Sequence, residues 1–528
     1  MTEKNKHSRS SIISSLLKRK NPDEMMAEAA KGGLEKTLGV WDLIILGVGA
    51  IIGSGIFAVV GTAAANPGTG AGPALMLSMV IAAIACIFSA LCYSEFSSMI
   101  PVAGGAYTYT FATLGEFAAW MIGWILMLEY AIGYIAVACA WSNYFMQFLA
   151  GFKHVLPAYI TNPPIWLTSD LKSATNLLTA QGISPETVIP HIGNLPVCIN
   201  LPACAIVAII TMILIKGTKD STMMAAVMVV VKLAVIGLFV LTGAFYVQPE
   251  NWVPFAPNGM NGIFMGAFII FFAYIGFDAL ATAAEECKNP QKDLPVGIIG
   301  SLLITTVVYV SVALVLTGVV KTNGGAVPQE FLKAPMVYVM EMVGQNWVAG
   351  LISVGSLAGL TSVLLVLQLA ATRILFAMSR DNFLPSVFQK LHPKFNTPHI
   401  LTWVVCGICM IGTLTLDLNI AAELCNFGTF TSFIIVCVAV LILRKIDPDR
   451  PRPFKVPFSP WFPLAGIILC GGLMIYSMVI NPSISALLFP VWILVGLVIY
   501  AGYGYKKNRL AEQSVKTVEE VKNIAAVK

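Results

Sequence analysis

Long apolar stretches recur along the whole chain and constrain its fold more than any other feature. Twelve of them have helical length, and we number them segments 1 to 12: about 38–64, 73–99, 115–150, 201–216, 222–247, 262–285, 294–320, 346–378, 400–416, 420–443, 461–481 and 485–504. A membrane-crossing helix needs about 20 mainly apolar residues. Only 11% of the residues are charged, against about 25% in a soluble protein. The sequence therefore predicts an all-α polytopic membrane protein and excludes a soluble enzyme, a disordered chain and a disulfide-rich scaffold.

The basic residues indicate how the chain is threaded through the membrane. If the N-terminus is cytoplasmic, 27 of the 32 Lys and Arg lie in cytoplasmic parts, and four lie outside: Lys153, Lys172, Lys321 and Lys333. Because cytoplasmic loops of membrane proteins are enriched in Lys and Arg, this count favours twelve spans with both termini in the cytoplasm. We expect a multi-pass protein of the cell (inner or plasma) membrane, whose basic tails contact anionic lipid rather than nucleic acid.

Composition divides the chain into four parts. They are a basic cytoplasmic tail (1–36), a ten-helix core (37–445), a unit made of segments 11 and 12 (446–505) and a cytoplasmic C-terminal tail (506–528). The Pro-rich run Arg444–Pro460 reads as a hinge between the core and the last two segments. The longest connection, 151–200, is expected to cap the external face.

Segments 1 and 6 are interrupted by glycine at similar points. Segment 1 has Gly49, Gly53 and Gly55 within seven residues, and segment 6 has Gly276 before Phe277. Glycine also permits close helix packing in membranes, but paired broken helices at matching positions of two halves indicate a substrate site near the midplane. We favour discontinuous helices in an inverted repeat, about 37–247 and 262–445, whose halves are antiparallel because they are five segments apart.

Unwound backbone inside a membrane needs polar partners. The free amides that begin a second half-helix lie at its positive dipole end and suit a carboxylate, whereas the carbonyls that end a first half-helix suit an ammonium group. A free amino acid carries both groups. The predicted substrate-binding residues are Gly53, Ser54 and Gly55 for the carboxylate, and Ile51, Phe272, Ala273 and Ile275 for the amine.

Lys232 lies in the middle of segment 5. A charge at that depth costs about 3 kcal/mol on insertion scales, so its side chain should face the protein interior. Two interpretations stand side by side. Lys232 takes and releases a proton as nearby carbonyls of unwound segment 1 move, or it is a permanent cation that neutralises helix ends or pairs with an acid. We favour the coupling role.

Three further polar residues are candidates. Glu129 in segment 3 is expected to pair with Lys232 through water, to recognise a cationic substrate or to act as a structural carboxylate. Tyr309 in segment 7 offers a hydroxyl partner for Lys232 or simply packs. Asp278, after the break in segment 6, is assigned to an inner gate. No metalloprotease, phosphate-loop or Ser-His-Asp pattern is present, so we expect no enzyme, cofactor or metal.

Several motifs in order resemble the amino acid–polyamine–organocation superfamily, and within it the bacterial cationic amino acid transporter subfamily. They are Gly47–Phe57 (GVGAIIGSGIF), Pro101–Tyr109 (PVAGGAYTY), Phe271–Glu286 (FFAYIGFDALATAAEE) and Ser379–Pro385 (SRDNFLP). The resemblance covers Leu34 to the end of segment 12. It implies a LeuT-like five-plus-five inverted-repeat fold with discontinuous helices 1 and 6, two further C-terminal helices, and proton-coupled uptake of amino acids.

The resemblance also implies roles for individual residues. Lys232 matches the lysine that occupies the place of a sodium ion, which makes the proton rather than Na⁺ the expected coupling ion, and Glu129 and Tyr309 match polar positions near it. Leu367 in segment 8 aligns with the pocket floor, where a bulky apolar residue favours small neutral amino acids. An arginine or lysine carrier, an exchanger and a non-transporting sensor remain alternatives. The sequence is compatible with a monomer.

Overall fold

The structure is a computed structural model that describes residues 18–31, 36, 38–102, 104–193, 195–217, 219–322, 327–480 and 482–504. Most of the basic tail 1–36 and the whole tail 506–528 lie outside the described residues. Their contacts with lipid therefore stay predictions.

Each of the twelve apolar segments coincides with a helix or an interrupted helix. In order they are Val40–Ile51 with Gly55–Ala65, Leu75–Met99, Glu116–Ala150, Leu201–Lys216, Lys219–Ala244, Gly259–Thr282, Pro290–Val319, Asn346–Arg380, His399–Thr415, Leu418–Ile446, Trp461–Ile480 and Ile484–Ile499. In the described part of the chain, nine helices are long and apolar enough to cross a membrane, or ten if the bent pair in segment 1 is one span. Segments 4 and 9 form shorter apolar helices of 16 and 17 residues.

Short elements connect the segments. They are helices Pro22–Lys31, Gly105–Thr113, Ala158–Thr161, Leu171–Ala180, Pro185–Val188, Gln329–Lys333 and Pro335–Met342, and a small antiparallel hairpin formed by His191–Ile192 and Leu195–Pro196. The 151–200 connection has a hydrophobic cluster of its own around Ala174 and Leu178. Lys172 in this connection forms a 2.8 Å ion pair with Asp417, which precedes segment 10.

Burial separates an inner set of helices from an outer one. Within the most apolar window of each helix, 89% of segment 3 and 94% of segment 6 is buried, against 28% of segment 11 and 22% of segment 12. Segment 3 packs against segments 8 and 10. The least buried helices have the composition of lipid-facing helices, and the two most buried ones, segments 3 and 6, belong to the inner set.

Candidate functional site

The helix of segment 1 is interrupted between Ile51 and Gly55. Ile52 has an extended backbone, with φ −72° and ψ 102°. A π-helical turn, Gly55–Val59, then begins the second half, whose axis is bent by 44° from the first. A Cβ atom on Gly55 would lie 2.3 Å from the Cα atom of Ala273. Only glycine therefore lets segment 1 approach segment 6 this closely.

Segment 6 is interrupted at the same level. Its first helix, Gly259–Ile270, tightens into a 3₁₀ turn, Phe271–Tyr274, after which Ile275 is extended. Gly276 has a φ of +123°, and a Cβ atom there would lie 2.8 Å from the carbonyl oxygen of Ala50. The backbones of the two interrupted regions are therefore in close contact at Gly55 and again at Gly276.

A small cavity of about 20 Å³ lies between the two breaks. It is lined by seven of the eight predicted substrate-binding residues, namely Ile51, Gly53, Ser54, Gly55, Phe272, Ile275 and Leu367, together with Ala50, Gly133, Val137, Val363 and Cys425. The eighth, Ala273, packs directly against Gly55. The volume has room for about one water molecule, so an amino acid enters this site only if the surrounding helices move apart.

Ser54 is the polar side chain at this cavity. Ser54 is 1% exposed, and its hydroxyl makes no hydrogen bond within the described part of the chain. A buried hydroxyl without a partner is costly. A substrate carboxylate beside the amides of the second half-helix would supply that partner.

Lys232 is fully buried behind the break in segment 1. Its Nζ donates hydrogen bonds to the carbonyl oxygens of Gly49 at 2.5 Å and Ile52 at 2.7 Å, and to the Ser362 hydroxyl at 3.3 Å. Ser362 in turn donates to the carbonyl of Gly359 at 2.7 Å. The ammonium therefore satisfies carbonyls that the broken helix leaves without intrahelical partners.

Tyr309 contacts the same break from segment 7. Its hydroxyl lies 2.8 Å from the carbonyl oxygen of Ala273 and 3.1 Å from that of Ile51. The hydroxyl has one proton to donate, so it serves one of the two carbonyls at a time. Tyr309 thus joins the breaks of segments 1 and 6, and these carbonyls, rather than Lys232, are its hydrogen-bond partners.

Glu129 belongs to a different cluster from Lys232. It is fully buried, and its Oε2 accepts a hydrogen bond from the Ser432 hydroxyl at 3.3 Å. Among the described residues, none is a side-chain hydrogen-bond partner of both Glu129 and Lys232. Asp278 is 2% exposed and accepts a short hydrogen bond from the hydroxyl of Tyr130, the neighbour of Glu129 in the chain.

These two carboxylates are only partly satisfied. The Oε1 atom of Glu129 and the Oδ1 atom of Asp278 are buried and have no hydrogen-bond partner among the described residues. Neither forms an ion pair there. A buried polar atom without a partner is costly, so these two oxygens are the unsatisfied polar atoms of the cluster.

A larger cavity of about 250 Å³ lies on the other side of the break. Its lining includes Gly49 and Ser362, two of the partners of Lys232. Glu286 and Arg373 also line it and form a 3.2 Å ion pair. Backbone hydrogen bonds between Leu38 and residues 286 and 288 join the start of segment 1 to the end of segment 6 beside it. The cavity therefore connects the surroundings of Lys232 with the end of the bundle where segment 1 begins.

Glu95 in segment 2 is a buried acid that the sequence reasoning missed. It is 0% exposed, and its carboxylate binds the guanidinium of Arg444, lies 3.4 Å from Arg452 Nε and accepts the backbone N–H of Val456 at 2.7 Å. A single charge inside an apolar run is the signal that singled out Lys232 and Glu129, and it applies equally to Glu95. The cluster fastens the Pro-rich run after segment 10 to segment 2.

We expect Arg444→Ala to destabilise the protein by about 3 kcal/mol or more, because it leaves the buried carboxylate of Glu95 without its main partner. Lys445→Ala removes an exposed charge next to it and is the matched control, expected to change stability by less than about 0.5 kcal/mol. Thermal unfolding of both variants in detergent measures the difference. Equal midpoints for the two variants would contradict the assignment.

Comparisons with known proteins agree with this architecture. Residues 38–500 match the family model described as amino acid permease. The chain is 42% identical to a methylthioribose transporter of Bacillus subtilis over 94% of its own length and 100% of that relative, and 42% identical to the branched-chain amino acid permease BcaP of the same organism over 92% and 97%. It is 36% identical to cationic amino acid transporter 9, chloroplastic, of Arabidopsis thaliana over 81% and 70%.

These matches, together with the set of long apolar helices, confirm the predicted family and a multi-pass transporter rather than an enzyme. The chain belongs to the amino acid permease family of the amino acid–polyamine–organocation superfamily.

Proposed function

We propose that the protein is a proton-coupled symporter that takes up L-amino acids, with a preference for small neutral ones. The observation that carries the proposal is the pair of facing helix breaks, whose backbone surrounds a cavity that contains the unpartnered hydroxyl of Ser54. Backbone groups at both breaks suit the ammonium and carboxylate that every amino acid has in common. The side chain is then selected by the rest of the cavity wall.

The proposed architecture has twelve spans and a LeuT-like inverted repeat, with both termini in the cytoplasm of a cell that carries the protein in its plasma membrane. Segments 4 and 9, which form the two shorter helices, are five segments apart, as are the broken segments 1 and 6. This matching of irregular helices supports two antiparallel halves. The basic residues support the orientation.

The cavity wall supports a neutral, apolar side chain. Val137, Val363, Phe272 and Leu367 line it, and the described lining includes no acidic residue. A Cβ atom added to Gly133, on the opposite wall, would lie 3.8 Å from Leu367 Cδ1. The Leu367 side chain therefore occupies space that a larger substrate side chain needs.

Lys232 is the proposed coupling residue. When protonated it binds the carbonyls of Gly49 and Ile52 and holds the first half of segment 1 against segment 5. Loss of the proton turns a charged donor into a neutral amine and weakens these bonds, which frees segment 1 to move. The 250 Å³ cavity beside Gly49 offers the proton a route to the cytoplasm. A membrane potential supplies about 2.3 kcal/mol per charge for each 100 mV.

Glu129 and Asp278 are proposed to support the same cycle. The short hydrogen bond from Tyr130 to Asp278 holds the inner half of segment 6 against segment 3, as an inner gate requires. Glu129 lies in the same buried cluster as Asp278 and is proposed to bind a proton there. This role needs no direct contact between Glu129 and Lys232.

Competition experiments in proteoliposomes test the proposal. Uptake of labelled alanine is measured with and without a pH gradient, against a panel of unlabelled neutral and cationic amino acids. We expect the gradient to stimulate uptake and small neutral amino acids to compete best. Competition by cationic amino acids alone would favour an arginine or lysine carrier, and uptake that requires internal amino acid would favour an exchanger. A sensor would show no counterflow.

A second candidate class of substrates comes from the relatives. One of them is named a branched-chain amino acid permease and another a methylthioribose transporter. The apolar wall of the cavity suits a branched aliphatic side chain as well as a small one. Isoleucine, valine and methylthioribose therefore belong in the competition panel.

We expect Leu367→Ala to widen substrate selection, because it adds the volume of three carbon atoms to a cavity of about 20 Å³. Leucine and phenylalanine should become effective competitors, with their half-inhibitory concentrations lowered by about tenfold. Leu351→Ala is the control, because Leu351 is an exposed residue of the same helix that lines neither this cavity nor the 250 Å³ cavity. An unchanged competition profile for Leu367→Ala would rule out a selective role.

A further inference from the structure

A third cavity, of about 540 Å³, lies at the end of the bundle opposite the start of segment 1. Its walls are the end of segment 3, the 151–200 connection and the short helix Gln329–Lys333. Side-chain amides and hydroxyls dominate the polar lining: Asn143, Gln147, Thr161, Asn162, Thr168, Ser169, Gln181 and Gln329. A cavity of this size accommodates an amino acid or a molecule of similar dimensions.

Two opposite charges face this cavity without pairing to each other. Glu330 and Lys333 are three residues apart on one helix, and both line the cavity. At this spacing side chains are neighbours on a helix surface, yet within the described residues Lys333 forms neither an ion pair nor a hydrogen bond. Both charges are therefore available to groups of opposite charge that enter the cavity.

The surroundings of Lys333 favour an anion. Burial lowers the pKa of its ammonium group, and the carboxylates of Glu330 and Asp170 oppose that shift only in part. A partly desolvated cation without a direct partner gains most from a charge-assisted hydrogen bond to a carboxylate. The amides of Asn162 and Gln181 are likewise without partners in the described structure and offer further donors and acceptors.

We propose that this cavity is an outer capture site for a zwitterionic amino acid, whose carboxylate binds Lys333 and whose ammonium group binds Glu330. The proposal rests on the proposed function, since it assumes that amino acids arrive from this side. It adds a second binding site, separate from the cavity between the helix breaks, with a different set of ligating groups.

The short helix that carries these charges also contacts the broken helix of segment 1. Phe331, between Glu330 and Lys333, is fully buried, and its carbonyl oxygen lies 2.7 Å from the position of a Cβ atom on Gly61. Gly61 belongs to the second half of segment 1. An amino acid held at the capture site therefore lies next to the element that must move before the inner cavity can admit it.

Transport measured in two membrane orientations tests the capture site. Uptake of labelled L-alanine and L-isoleucine is compared in right-side-out and inverted membrane vesicles for Lys333→Gln, Glu330→Gln and the control Lys153→Gln. Lys153 is an exposed lysine of the 151–200 connection, at the same end of the bundle, and it does not line the cavity. Since each test variant loses one charge-assisted hydrogen bond, we expect KM in right-side-out vesicles to rise about tenfold, with maximal rate within twofold and KM in inverted vesicles unchanged.

Three outcomes would overturn the inference. They are an unchanged KM for both test variants, an equal change of KM in both vesicle orientations, and a change that the control shows as well. If the unaltered protein transports no amino acid in either orientation, the proposed function fails and the capture site fails with it. If the unaltered protein transports amino acids and both test variants keep its KM, the capture site alone is overturned.

Discussion

Replacing Lys232 with Met is expected to abolish accumulation of amino acids against a gradient. Methionine has similar length but cannot carry a proton, and it cannot donate to the carbonyls of Gly49 and Ile52 that now receive the ammonium. In proteoliposomes with an imposed pH gradient, uptake should fall to the level seen without the gradient. Uphill uptake that survives in Lys232→Met would refute the coupling role.

Two further variants separate coupling from simple charge. Lys232→Arg keeps a permanent cation at the same position but cannot release its proton at physiological pH, so proton-driven accumulation should be lost here too. If the arginine variant accumulates substrate normally, Lys232 is a structural cation. Lys216→Met, which removes an exposed lysine at the end of segment 4, is the matched control and should leave accumulation within twofold of the unaltered protein.

Gly55→Ala is expected to reduce transport at least tenfold without removing any polar group. The new methyl group would lie 2.3 Å from the backbone of Ala273, so segments 1 and 6 must separate and the cavity between them must change shape. Initial rates of uptake in proteoliposomes measure the loss. Gly350→Ala in segment 8 is the control, because a Cβ atom there meets nothing within 4 Å. Equal rates for the two variants would show that close approach at Gly55 is dispensable.

The sequence was sufficient to predict the apolar segments and the two breaks because both depend on local composition. Hydropathy over about 20 residues identifies a membrane helix, and glycines such as Gly53, Gly55 and Gly276 mark where backbone departs from the helix. The same reasoning pointed to carbonyls of segment 1 as partners of Lys232. The structure identifies Gly49 and Ile52 as those partners.

The partners of the buried acids could not be predicted in the same way. Helical periodicity indicates which face of segment 3 carries Glu129, but Ser432 meets that face only through the packing of segments 3 and 10. The proline content of Arg444–Pro460 alone predicted a hinge. Its attachment to Glu95 depends on residues about 350 positions earlier in the chain.

The Glu95 cluster indicates that the last two helices are needed for a stable fold and cannot be removed without loss of stability. A chain shortened after segment 10 would keep Glu95 in its buried place but lose Arg452 and the N–H of Val456. It would also lose the hydrogen bonds from Trp120 and Trp124 to the backbone of segment 12. Truncation at this apparent boundary should therefore yield an unstable fragment and not a minimal ten-helix carrier.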